Sequence, residues 1–143
     1  MGASLMDILN HLGDINWLAV ATATIAAFLL GGLWYSKRMF GTRWVQEIGL
    51  TEESINQSNM ARTFGTAFVL QFVAATALAV FLGTDSSWTS GLHSGALIGL
   101  LWVATSYGTT YLFEQRSLCL FMINAGYNVV LFAIMGLILG AWH

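Results

Sequence analysis

The stretch Leu118–Trp142 reads LCLFMINAGYNVVLFAIMGLILGAW and carries no charged side chain. A helix rises about 1.5 Å per residue and the hydrocarbon core of a bilayer is about 30 Å thick, so about 20 such residues cross it. Within lipid the backbone has to satisfy its own hydrogen bonds, which makes the stretch a helix. Three further charge-free stretches, Ile15–Tyr35, Thr63–Leu82 and Leu92–Phe113, have similar lengths and lack the strict alternation of barrel strands. Together the four leave little chain for a separate soluble part. These spans predict an all-α integral membrane protein, a single domain over residues 1–143 with four transmembrane helices in a compact bundle.

Composition points the same way. Hydrophobic residues make up 57% of the chain and charged residues 8%, against about 25% charged in a typical soluble domain. Disorder is excluded, since it needs low hydrophobicity and high net charge. A formal net charge of −2 leaves nothing to neutralise phosphates, which argues against nucleic acid as a partner. The single cysteine, Cys119, excludes a disulfide scaffold. The bilayer itself is the first expected partner.

All five basic residues fall on one side of the predicted membrane. Lys37, Arg38, Arg43 and Arg62 lie between the first and second spans, and Arg116 between the third and fourth. The positive-inside rule places both basic loops in the cytoplasm and both termini outside. Asp7 and Asp14 precede the first span without a Lys or Arg, so that span reads as a retained helix rather than a signal peptide. Trp17, Trp88 and Trp142 mark the outer interface, and Trp34, Tyr35 and Trp44 the inner one. Short interfacial helices are expected outside the spans. Leu5, Ile8, Leu9 and Leu12 form one apolar stripe behind a Ser4 cap. Phe40, Trp44, Val45 and Ile48 form another, ended by Gly49, and Thr51 starts a further turn.

Small residues recur every four positions: Ala19, Ala23, Ala27 and Gly31 in the first span, Gly91, Gly95 and Gly99 in the third, Gly136 and Gly140 in the fourth. Such stripes let membrane helices approach closely. Gly91, Gly95 and Gly99 are candidate helix-packing residues; there are more small faces than one compact bundle needs, and a homo-oligomer or a larger membrane complex could use the surplus. Polar residues concentrate toward the cytoplasmic half. Gln71 lies about 13 Å from that end of its helix and Asn128 about 15 Å. With Asn124, Tyr127 and Thr109, and Glu114 at the mouth, they form a candidate polar pocket; the alternative is that they are interhelical glue.

Other chemistries lack a signature. Neither a Gly-rich phosphate loop, a Cys–His zinc spacing nor a Ser–His–Asp order stands out. His11, His93 and His143 fall on the outer side on different segments, so no metal and no cofactor is expected.

One run is more specific: Gly31-Gly32-Leu33-Trp34-Tyr35-Ser36, Phe40-Gly41, Trp44, then Gly49-Leu50-Thr51, with Asn16-Trp17 at the head of the first helix. It resembles the bacterial four-helix membrane family known as domain of unknown function 1761, and the likeness extends through Glu114-Gln115-Arg116 to Asn124 and Tyr127. That resemblance implies the architecture only and no activity; the expected location is a bacterial inner membrane, with both termini outside. Three function classes follow. The first is a non-enzymatic structural or accessory protein acting through helix packing. The second is a small-ligand binder or carrier with a cytoplasm-facing polar pocket. The third is a cofactor-free membrane enzyme on a lipophilic substrate.

Overall fold

The computed structural model describes residues 4–143, and all regular structure among them is helical. A short helix α1 (Leu5–Leu12) precedes the first long one, α2 (Trp17–Trp34). Two short helices follow, α3 (Gly41–Ile48) and α4 (Glu52–Gln57), and then the long α5 (Met60–Leu82). The third long helix, Trp88–Phe113, comprises α6 (Trp88–Ile98), a π-helical turn over Gly99–Ala104, and α7 (Thr105–Phe113). α8 (Leu118–Ala141) completes the chain. Four helices are thus long and apolar enough to cross a membrane, and they form one compact bundle. One end of it holds α1 and the C-terminal residues; the other holds α3, α4 and every Lys and Arg. They are called here the terminal end and the basic end.

Helix starts are set by side-chain caps. Asn16, Asn59, Ser87 and Ser117 each accept a backbone N–H from the first turn of the helix they precede, which satisfies a donor that has no partner within the helix. Those caps explain why the second and third spans begin at Met60 and Trp88, ahead of the charge-free boundaries at Thr63 and Leu92. Absence of charge marks the hydrocarbon, whereas a cap marks the helix. The short helices form where the stripes predict them. Ser4 and Asp7 make a reciprocal capping box on α1, and the Ser4 hydroxyl holds the Asp7 carboxyl below its ordinary value. Gly49 ends α3 at φ 74°, a left-handed conformation suited to glycine.

The core gathers around α8. Ala19, Val20, Ala23 and Ala27 of α2 meet Ala75 and Leu78 of α5 and Leu131, Met135 and Leu139 of α8. Thr24 is also fully buried, and its hydroxyl donates to its own helix at Val20 O, 2.8 Å away. On the opposite side α6 lies backbone to backbone on α8. A Cβ on Gly91 would overlap the Gly136 carbonyl, one on Gly95 the Phe132 carbonyl, and one on Gly99 would stand 2.8 Å from Val129 Cα. The glycine stripe of the third span is therefore filled by the chain's own α8. Gly91, Gly95 and Gly99 are thus helix-packing residues, and the contact they make is within this chain rather than between subunits.

This close packing belongs to the terminal half. Toward the basic end the small residues of α5 give way to Phe64 and Phe68, which lean on Phe28 of α2 with ring centroids 6.5 and 5.4 Å apart. Bulky rings act as spacers where alanines had allowed contact. Residues 60–66 of α5 are exposed, and so is most of α7. α2 and α5 diverge, and a space opens between them.

Candidate functional site

Where α2 and α5 part, they enclose a cavity of about 650 Å³, closed toward the basic end by α4. Its walls are mainly apolar: Phe28 and the bare backbone of Gly32 from α2, Phe64 and Ala67 from α5, Trp44 from α3 and Ile55 from α4. Such a volume is usual for a small-molecule site. Gly32 belongs to this wall and not to a helix contact, since a Cβ there would meet nothing within 4 Å. Gly31, by contrast, faces the Tyr127 hydroxyl.

Two residues of the candidate polar pocket line this space, Gln71 and Tyr127. Gln71 sits about three turns into α5 from its basic end; its side chain is half-buried, lines the cavity and takes part in none of the side-chain hydrogen bonds among the described residues. Tyr127 donates its hydroxyl to the Ala27 carbonyl at 3.2 Å. The other candidates lie elsewhere. Asn124 is the centre of a bridge across three helices: it accepts from the Tyr35 hydroxyl at 2.7 Å and donates to the Tyr111 hydroxyl at 2.7 Å. Asn128 turns back on its own helix and donates to the Asn124 carbonyl at 2.8 Å. Thr109 is exposed on α7 and donates to the Thr105 carbonyl. Glu114 stands in the exposed α7–α8 turn, 4.0 Å from Arg116. The six residues are therefore not neighbours in one pocket. They divide into a cavity pair, a bridging amide, two groups satisfied by their own helices, and a surface carboxylate.

Tyr35 joins this site although its place beside Trp34 suggested a lipid-facing anchor. It packs edge-on to Trp44 at 5.3 Å and to Tyr127 at 5.2 Å, besides its bond to Asn124. A signal was present: Tyr35 falls four residues after Gly31 and eight after Ala27, so it continues the stripe that faces α8. Trp34 is tied as well, its indole donating to the Ile123 carbonyl at 3.0 Å. These bonds hold α2 against α8 at the basic end while α5 stands away. They keep the near wall of the cavity in place.

A second cluster fastens α3 beneath the bundle. Arg43 lies 2.8 Å from Glu47, and its Nε donates to Cys119 Sγ at 3.3 Å. The Ser117 hydroxyl donates to the Glu47 carboxylate and, with Arg43 nearby, keeps that carboxyl ionised below its ordinary value. Ser117 also caps α8, so one residue joins the interfacial helix to the start of a span.

At the terminal end a smaller cavity of about 170 Å³ is lined by His11, Asp14, Asp85 and His143 among others. The His143 ring lies 2.7 Å from the Ser86 carbonyl oxygen. Among the described residues no three His, Cys, Asp or Glu side chains converge in a way that would hold a metal ion.

The family described as Protein of unknown function (DUF1761) matches this chain over residues 18–140. No curated protein and no solved structure matches it.

Proposed function

We propose that this chain, which belongs to the DUF1761 family, is a non-enzymatic membrane protein that binds or carries a small ligand in the cavity between α2 and α5. The observation that carries this reading is the Gln71 amide, unpartnered among the described residues, facing a cavity of about 650 Å³. A polar group in an apolar setting is costly to leave without a partner. Natural chains keep one there when something else, water or a ligand, completes it. The site lies in the basic half of the bundle, and the gathering of all five Lys and Arg at that end supports a cytoplasmic location for it, with both termini outside a bacterial inner membrane.

The test is recovery of a bound molecule. The protein is purified in a mild detergent and extracted, and the extract is analysed by mass spectrometry beside that of Ala67→Phe. Ala67 lines the cavity one turn from Gln71, so a phenyl ring there fills the space. A compound enriched with the parent and lost from the variant is the expected result. Identical extracts from the two proteins would sink the proposal.

A second reading, accessory packing on a further copy or a larger membrane complex, draws on a separate observation. Only 11% of the most apolar window is buried in each of the second and third spans, against 28% and 33% in the first and fourth. The outward face of α7, with Thr105, Ser106 and Thr109, is where a partner helix would lie. Mass measurement in lipid nanodiscs distinguishes a monomer from an assembly.

A further inference from the structure

The cavity between α2 and α5 also has features that select the chemistry of its ligand, given the binding role proposed above. None of its lining residues is an Asp, Glu, Lys, Arg or His. Lys37 is paired with Glu52 at 3.3 Å and borders a separate, smaller cavity. Arg62 faces a different groove along α5. A phosphate or carboxylate placed beside Gln71 would find no counter-charge, and an unpaired ion in such a setting is strongly disfavoured.

What the cavity does supply at depth is neutral hydrogen bonding. The Gln71 amide both donates and accepts. The Tyr127 hydroxyl donates its hydrogen bond to the Ala27 carbonyl and keeps lone pairs for accepting. Between Gln71 and the basic end the walls are rings and backbone. The hydroxyls of Ser54, Ser58 and Thr63 line the end nearest α4. Polar groups therefore lie at both ends of an apolar passage about 16 Å long, measured along α5 from Met60 to Gln71.

An ordinary phospholipid fits this poorly. Its phosphate would stay near Ser58 and its acyl chain would reach the floor, leaving the Gln71 amide against hydrocarbon. The fit improves when the molecule is reversed. We infer that the cavity takes a neutral, single-chain amphiphile bearing a hydroxyl or carbonyl group, inserted with that group leading so that it meets Gln71. The ligand enters sideways from the bilayer. The divergence of α2 and α5 provides the gap, where Phe64 is 54% exposed and Gly32 presents no side chain.

The experiment uses the full chain in detergent and measures binding by native mass spectrometry and thermal shift. The probes are tetradecanol, ionised myristate and dimyristoyl phosphatidylcholine, which share a chain length and differ in head group. Tetradecanol is expected to bind as a single molecule, at least tenfold more tightly than myristate. Gln71→Leu lowers its affinity about tenfold, the usual effect of losing one buried hydrogen bond. The same change leaves myristate unaffected, and Ala67→Phe abolishes binding. Gln71→Met, of nearly equal length, repeats the measurement should leucine disturb folding.

Tighter binding of myristate or of the phospholipid would overturn the neutral, head-inward assignment and leave the binding role standing. Unchanged tetradecanol affinity in both Gln71 variants would do the same. If no probe binds the parent and its extract matches that of Ala67→Phe, the binding role falls as well.

Discussion

Gly95→Ala adds one methyl group where α6 crosses α8, and its consequence follows from the local geometry. The new carbon would overlap the Phe132 carbonyl oxygen, lie 2.7 Å from the Phe132 carbonyl carbon and 3.2 Å from the Ala133 nitrogen. Carbon atoms pack best at about 3.5–4.0 Å, so the two helices have to part by about 1 Å. All of the obstructing atoms are backbone, and no side chain is free to rotate away. Gly91 on Gly136 and Gly99 on Val129 share the same crossing and separate with it. A gap of about 0.5–1 Å already forfeits a quarter to a half of each dispersion contact. Overpacking costs about 1–3 kcal/mol, and the backbone obstruction puts this site near the upper figure. Alanine's better helix propensity contributes about 1 kcal/mol in the opposite direction, for a net loss of about 2 kcal/mol. Gly32→Ala is the control, because a Cβ there meets nothing within 4 Å. It keeps only the propensity gain, up to about 1 kcal/mol. Unfolding of both variants in mixed micelles, followed by circular dichroism, compares the two. A Gly95→Ala protein as stable as the parent, or a Gly32→Ala protein equally weakened, would refute the assignment of one glycine to a helix contact and the other to a cavity wall.

Four further outcomes are expected. Asn124→Leu strands the Tyr35 and Tyr111 hydroxyls and lowers stability by about 1–3 kcal/mol, whereas the triple change with Tyr35→Phe and Tyr111→Phe recovers part of that loss; an additive triple mutant would break the proposed bridge. Because Glu47 ionises below its ordinary value of 4.5 in the folded chain, its contribution is complete above that value and is lost as pH falls through the folded pKa; melting temperatures down the acid range should drop less steeply for Glu47→Gln than for the parent. Gln115 holds φ 57° in the α7–α8 turn; Gln115→Gly relieves about 1–2 kcal/mol of left-handed strain and costs about 0.4–1 kcal/mol in chain entropy, so stability in chemical denaturation should rise by about 0.5–1 kcal/mol, and a decrease would show that its side chain matters more than its backbone. Reporters fused to either terminus should signal from outside the cytoplasm, and one in the 37–62 loop from inside it; a cytoplasmic signal from a terminus reverses the proposed orientation.

The helices were legible because their determinants are local. Absence of charge marks the four spans, and Ser4, Thr51 and Gly49 mark the short helices through caps and a left-handed turn. The candidate site was less legible because its members are set by divergence between helices, which no spacing encodes. Gln71 and Asn128 have comparable depth, yet one faces the cavity and the other bonds its own backbone. Which occurs depends on how far α5 stands from α8, and that distance follows from where phenylalanines replace alanines along α5. The third span adds a rotation. Its π-helical turn over Gly99–Ala104 departs from the α-helical angle per residue, so a face counted from Gly91, Gly95 and Gly99 does not continue to Thr109. Tyr35 was hidden differently. An aromatic residue at a span end has the same composition signal whether it anchors in head groups or turns inward to an asparagine.

The parting of α2 and α5 also has a mechanical side. The alanine contact around Ala75 is a fulcrum, and the basic half of α5 is a lever arm about 22 Å long from there to Met60. A rotation of only about 5° would carry its tip about 2 Å, on the order of half a methylene-to-methylene contact distance. Alanine packs on alanine at the fulcrum, and phenyl rings stand between α2 and α5 toward the tip. A displacement of that size at the tip would change the width of the space lined by Phe28 and Phe64, so the room open to a ligand is coupled to the tilt of a single helix.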